Sequence, residues 1–148
     1  MRAAAQVGHP RFPAVADLER EFALAADAEL AVEIDPKLSA LLAKRYAGDD
    51  RLQVVTDSAE NVDDYLGGRR ADVLVSAIPF TSLDGALRQR ILDELPRLLA
   101  PSGVMVVIQY SPLMLKEFRR RFRSVRWRIT PWNVPPAFLF ACSQDDAA

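Results

Sequence analysis

The chain has 148 residues, 50% of them apolar and 26% charged, the balance of a globular domain large enough to bury one core. No apolar run approaches the roughly 20 residues needed to span a bilayer, and the opening MRAAAQVGHPRF lacks the apolar stretch of a secretory signal. A lone cysteine, Cys142, excludes an internal disulfide and a thiol-based metal site, so a reduced, cytoplasmic setting is expected.

Net charge is close to zero but unevenly spread. Residues 1–103 carry 12 basic and 17 acidic side chains, whereas residues 104–148 carry 7 basic and 3 acidic ones. The basic excess lies almost wholly in Lys116–Arg128. A general nucleic-acid binder is usually basic throughout, so an anionic partner would have to meet this one stretch.

In chain order, short runs rich in β-branched residues alternate with segments of helical period. Glu29–Ile34 (ELAVEI) and Leu52–Thr56 (LQVVT) read as strands, separated by a helix that starts at Asp35-Pro36, with Asp as N-cap and Pro in the first turn. Leu38, Leu41, Leu42 and Tyr46 are expected on its inner face. Ala71–Ser76 (ADVLVS) and Val104–Gln109 (VMVVIQ) are nearly continuous in apolar residues, as in strands buried on both faces of a parallel sheet. Between them Leu83–Leu99 has helical spacing through Leu87, Ile91, Leu95, Leu98 and Leu99, and Ala100-Pro101-Ser102-Gly103 reads as a turn. Ser111-Pro112 opens another helix, with Leu115, Phe118 and Phe122 inward. Val125–Thr130 and Ala137–Cys142 are then joined by too few residues for a crossover, so they should pair antiparallel. The expected fold is α/β: one domain over residues 1–148, a mostly parallel sheet with helices on both faces and a C-terminal antiparallel hairpin.

Three places carry candidate chemistry. Glu33, in AVEIDP, ends the second strand at the carboxyl edge, where a carboxylate accepts hydrogen bonds from ribose hydroxyls; the competing reading is a capping or solvent-facing acid. Asp57, in VVTDSA, follows the third strand, where it can accept from an adenine amino group beside the Ser58 amide, although Asp is also common in turns. Ser76 ends the fourth strand, and Ile78-Pro79-Phe80 forms a rigid segment where a methyl group would lie, with Phe80 equally suited to the core. His9, the single histidine, has no triad around it, and Cys142 reads as a buried strand residue.

Taken together, AVEIDP, VVTDSA, ADVLVSAIPFTSL, LLAPSGVMVVIQYSP and FRSVRWRITPWNVPPAFLFA resemble the bacterial phospholipid N-methyltransferase-like family, which is itself similar to ribosomal RNA adenine dimethylases. The likeness spans about residues 28–142. It implies a Rossmann-like class I fold with S-adenosyl-L-methionine as cofactor and a small-molecule or lipid amine, above all a phospholipid headgroup, as methyl acceptor. The implied cofactor-binding residues are Gly8, Glu33, Ile34, Asp57, Ser58 and Ser76. The catalytic ones are Ser76, Pro79 and Tyr110, with Ser76–Pro79 as the acceptor segment and Tyr110 as the residue after the fifth strand.

The chain departs from that family at its start, where Glu-Leu-Gly-x-Gly-x-Gly is expected. Here Ala3–Val7 reads as a worn or missing first strand, Gly8 is the one glycine left, and His9-Pro10-Arg11-Phe12-Pro13 leads to a helix around Ala14–Ala26. The alternative is a catalytically inactive relative, either an interaction module or a gene remnant. Loss of a central strand would also expose two sheet edges and favour a homodimer. The helix flank within Lys116–Arg128, with Trp127 beside it, suits peripheral contact with an anionic membrane, and nucleic acid less well; the competing reading is a solvated helix face.

Overall fold

A computed structural model of the chain describes residues 2–5, 28–131 and 135–145. The expected helix at Ala14–Ala26, Gly8 and the His9–Pro13 segment lie outside them. Strands β1 (Arg2–Ala5), β2 (Glu29–Glu33), β3 (Leu52–Thr56), β4 (Ala71–Ser76), β5 (Leu99–Gln109), β6 (Ser124–Thr130) and β7 (Ala137–Ser143) form one sheet in the order β3-β2-β1-β4-β5-β7-β6. The first five pair parallel with one another. Strand β7 runs antiparallel to both β5 and β6, which closes the sheet with the expected hairpin. The helices are α1 (Pro36–Arg45), α2 (Val62–Leu66), α3 (Gly85–Leu98) and α4 (Leu115–Arg121). No described helix is long and apolar enough to cross a membrane.

The first strand is present, although the sequence around it is short of strand-forming residues. Ala5 aligns with Val32 of β2 on one side and with Ser76 of β4 on the other, so the centre of the sheet is filled. The two exposed edges that made a homodimer attractive therefore do not arise.

Side-chain alternation assigns the two faces. Leu30, Val32, Leu74, Met105, Val107, Phe140 and Cys142 are buried on one face, in the main core. There α3 contributes Ile91, Leu92, Leu95 and Leu98. Phe118 of α4 meets Phe80 and Phe140 edge-on, at ring separations of 6.1 and 5.2 Å. Arg121 ties α4 to α3: its guanidinium donates to Asp93 (2.8 Å), Gln89 (2.6 Å) and Glu117 (2.8 Å). The opposite face takes α1, where the Thr56 hydroxyl donates to Ser39 Oγ at 2.7 Å.

Helix α1 corrects one expectation. Leu41 is 62% exposed and Ser39 is buried instead. At about 100° per residue, Leu38, Leu42 and Tyr46 fall on one stripe that Ser39 adjoins, while Leu41 lies on the flank. The cap expected at Asp35 is in place, its Oδ1 accepting from the Lys37 N–H (2.8 Å), and at the start of α3 Asp84 Oδ1 accepts from the N–H groups of Ala86 (2.9 Å) and Leu87 (3.3 Å). Helix α2 carries too short an apolar pattern to be anticipated, and it ends on Gly67 in the left-handed region at φ 59.

The expected turn at Ala100–Gly103 is instead a bulge inside β5. Ala71 pairs with Leu99 and Val73 with Val104, so the intervening residues leave the ladder and rejoin it. Gly103 makes this passage feasible, because a Cβ there would stand 2.7 Å from the Ala71 carbonyl oxygen and 3.0 Å from Ala100 N and O. Those neighbours are backbone and cannot swing aside. We expect Gly103→Ala to destabilise the fold by about 1–3 kcal/mol in urea denaturation. Gly67→Ala, whose Cβ would meet nothing within 4 Å, should lose only the smaller penalty of a left-handed alanine.

Candidate active site at the carboxyl edge

In an open parallel sheet, ligands bind beyond the carboxyl ends of the strands where the order reverses. Here that point is β1, because the chain winds outward through β2 and β3 on one side and through β4 and β5 on the other. The strand-end residues singled out from sequence gather around it.

Glu33 closes β2, is 1% exposed, and accepts the Asp35 N–H on Oε1 at 2.9 Å. Ile34 follows it and leaves 62% of its surface exposed. Strand β3 brings Asp57 alongside, and its N–H donates to the Glu33 carbonyl at 3.2 Å. Glu33 aligns with Thr56, so Asp57, one residue on, turns the other way, towards α2. Its Oδ1 accepts from the Ser58 N–H (2.6 Å) and Asn61 Nδ2 (2.9 Å), and its Oδ2 from the Tyr65 hydroxyl (2.5 Å). These bonds, led by the one from Tyr65, hold the carboxyl below its usual range. The Ser58 amide, expected to face a ligand, thus serves Asp57, while the Ser58 hydroxyl caps the short 3₁₀ turn Ala59–Asn61.

On the other side of β1, the Ser76 side chain is fully buried and accepts the Ile78 N–H at 3.4 Å. Pro79 is exposed and sits at φ −78 and ψ 71, with the Phe80 N–H donating to the Ile78 carbonyl at 2.8 Å. That is an inverse γ-turn. Phe80 itself is fully buried against Phe118, so its role is in the core. Tyr110, directly after β5, is 47% exposed, and partial burial raises its pKa; it remains a neutral phenol.

Sequence reasoning missed Asn61, Tyr65 and Gln109. The first two lie four and eight residues after Asp57, a helical spacing that could have pointed to them. Gln109 is the one polar residue in the apolar run of β5. Its side chain is 3% exposed and donates to the Ile78 and Ile108 carbonyls, at 2.7 Å each.

No protein-family profile matches the chain. Among curated proteins it is similar to an ornithine lipid N-methyltransferase of Singulisphaera acidiphila, 31% identical over 117 residues. That match covers 76% of this chain and 61% of the relative, so the chain spans less than two thirds of the relative's length. Among solved structures it is similar to an rRNA methylase from Streptococcus thermophilus (TM-score 0.69, 13% identity, 97% of this chain and 87% of that one). It is equally similar to the 1,6-didemethyltoxoflavin-N1-methyltransferase of Burkholderia thailandensis, solved with S-adenosylhomocysteine (TM-score 0.70, 17% identity, 97% and 71%). The chain has the Rossmann-like fold of class I methyltransferases. In this methyltransferase fold, β2, β3 and β4 deliver Glu33, Asp57 and Ser76 to the edge where the sheet order reverses.

The depressed pKa of Asp57 has a consequence for acid stability. A carboxyl whose folded pKa lies below its unfolded value of about 3.9 stabilises the fold above that pH, and the contribution is lost as pH falls through the folded pKa. In a carboxyl-carbon NMR titration, Tyr65→Phe should move the Asp57 midpoint upward. Asp57→Asn should flatten the fall in stability below about pH 4. An unmoved midpoint in Tyr65→Phe would show that the phenol bond does not set it.

Proposed function

We propose that this methyltransferase-like chain transfers a methyl group from S-adenosylmethionine to an amine carried by a lipid headgroup. The observation that carries the reading is the pairing of Glu33 and Asp57 at adjacent strand ends beside the switch point, joined through the Asp57 N–H and the Glu33 carbonyl. The match to a lipid N-methyltransferase supports the acceptor class.

The donor set suits the adenosine half of the cofactor. Glu33 supplies a carboxylate for ribose hydroxyls, Ile34 an exposed apolar surface for a flat base, and Asp57 a carboxylate held ionised by its own neighbours. When bound, the cofactor supplies an electrophilic methyl carbon. The amine nitrogen forms the C–N bond as the C–S bond breaks, S-adenosylhomocysteine leaves, and the ammonium proton passes to water. Little base strength is needed, which fits a neutral Tyr110 beside the site; alignment by Ser76–Pro79 does the catalysis. In an assay with radiolabelled cofactor and aminolipid micelles, transfer should depend on Glu33. Glu33→Ala should weaken cofactor affinity about 10- to 100-fold, the loss of one or two hydrogen bonds to a charged group. Absence of transfer to any aminolipid would remove the acceptor class, and absence of calorimetric binding of S-adenosylhomocysteine the cofactor.

A lipid acceptor also calls for a surface that meets lipid. Within Lys116–Arg128, Arg121 is folded against α3, and Arg120 pairs with Glu117 at 2.9 Å. Lys116, Arg119, Arg123, Arg126 and Arg128 are exposed, as are Trp127 (46%) and Ile129 (49%) on the edge strand β6. Cations beside an aromatic residue on one edge support peripheral contact with anionic headgroups. The chain should co-sediment with phosphatidylcholine vesicles containing phosphatidylglycerol, and less with pure phosphatidylcholine. Arg126→Gln/Arg128→Gln should weaken this by about 1 kcal/mol per charge removed. Equal binding to both vesicles would count against an electrostatic contact.

A further inference from the structure

The segment after β4 presents backbone carbonyls at the edge where an amine would arrive, and one of them is already fully used. The Ile78 carbonyl accepts the Phe80 N–H at 2.8 Å within the γ-turn and Gln109 Nε2 at 2.7 Å from the neighbouring strand end. A carbonyl oxygen has two lone pairs, so both are committed. The Ile78 N–H is also engaged, by Ser76 Oγ at 3.4 Å. The peptide ahead of it belongs to the half-buried Ala77, which directly follows Ser76, the residue aligned with Ala5 at the end of β1.

We propose that Gln109 is a positioning residue for methyl transfer: it holds the Ile78 carbonyl inward, so that the Ala77 carbonyl accepts the hydrogen of the incoming amine. This rests on the methyl-transfer reading and adds to it which acceptor orients the nitrogen lone pair towards the methyl carbon. Gln109 is suited to the task because it is 3% exposed, sits on a central strand, and is itself fixed by a second bond to the Ile108 carbonyl at 2.7 Å. A brace anchored in the sheet sets the turn more firmly than bonds within the loop do.

The experiment compares the whole chain with Gln109→Leu and Gln109→Glu. Gln109→Leu should lower kcat for an aminolipid by about 100-fold, the loss expected from an ångström-scale misplacement. Its affinity for S-adenosylhomocysteine should stay that of the wild type. In Gln109→Glu a buried carboxyl has a raised pKa and donates only when protonated, so the ratio of its rate to that of the wild type should rise from about pH 8 to about pH 6. The Gln109→Leu ratio should stay flat over that range. Amide hydrogen exchange at Phe80 should be faster in Gln109→Leu, with Val75 and Val107 unchanged. Wild-type kcat in Gln109→Leu, a parallel loss of cofactor affinity, or a flat ratio in Gln109→Glu would overturn the proposal. If the wild type methylates no aminolipid, the methyl-transfer reading fails and the positioning role with it. Exchange then decides the brace alone: unchanged exchange at Phe80 overturns it, and faster exchange retains it.

Discussion

The parallel pairing of β1 with β2 and β4 at once is the constraint on which the rest of the structure depends. Buried backbone amides and carbonyls must find partners, and a central strand is paired on both sides. Four residues, Arg2–Ala5, meet that requirement although three of them are alanine, a residue depleted in strands. By aligning Ala5 with both Val32 and Ser76, the pairing sets the ends of β2 and β4 at one level with the strand end of β1 between them. Glu33 therefore stands on one side of the switch point, and the Ser76–Pro79 segment on the other.

The two sides solve different problems. On the β2–β3 side the groups are charged, and each carboxylate is held by backbone or side-chain donors from its own neighbourhood. On the β4–β5 side the groups are backbone carbonyls, whose directions depend on the turn that carries them. Ser76, Pro79 and Gln109 fix that turn from three directions: a hydroxyl, a locked φ and a side-chain amide. A reaction that needs alignment more than a strong base is served by such stiffness, because atoms held in place before the substrate arrives need no reordering afterwards.

Charge is sorted along the same architecture. The basic stretch Lys116–Arg128 does not act as one helix face: α4 ends at Arg121 and the chain turns back as β6. One arginine of the stretch becomes an internal clamp, with its side chain 14% exposed against Asp93, while others stay on the surface. Composition records only the sum of these two uses.

Much of the layout was legible in the sequence because its causes are local. Apolar runs without alternation mark strands covered on both faces, so Ala71–Ser76 and Val104–Gln109 could be assigned from their residues, as could the cap at Asp35. The acids at Glu33 and Asp57 were visible because one ends a strand and the other directly follows one. Their partners were not: Gln109 lies 31 residues from Ile78, and Arg121 lies 28 from Asp93. Likewise the choice of Ser39 over Leu41 as an inward residue depended on where β3 lies, and the bulge at Gly103 on how closely Ala71 approaches. Neighbours along the chain determine which residues can form a strand or cap a helix. Which strand lies beside which, and so which side chain reaches which carbonyl, is decided only when distant segments close on one another and compete for the same buried space.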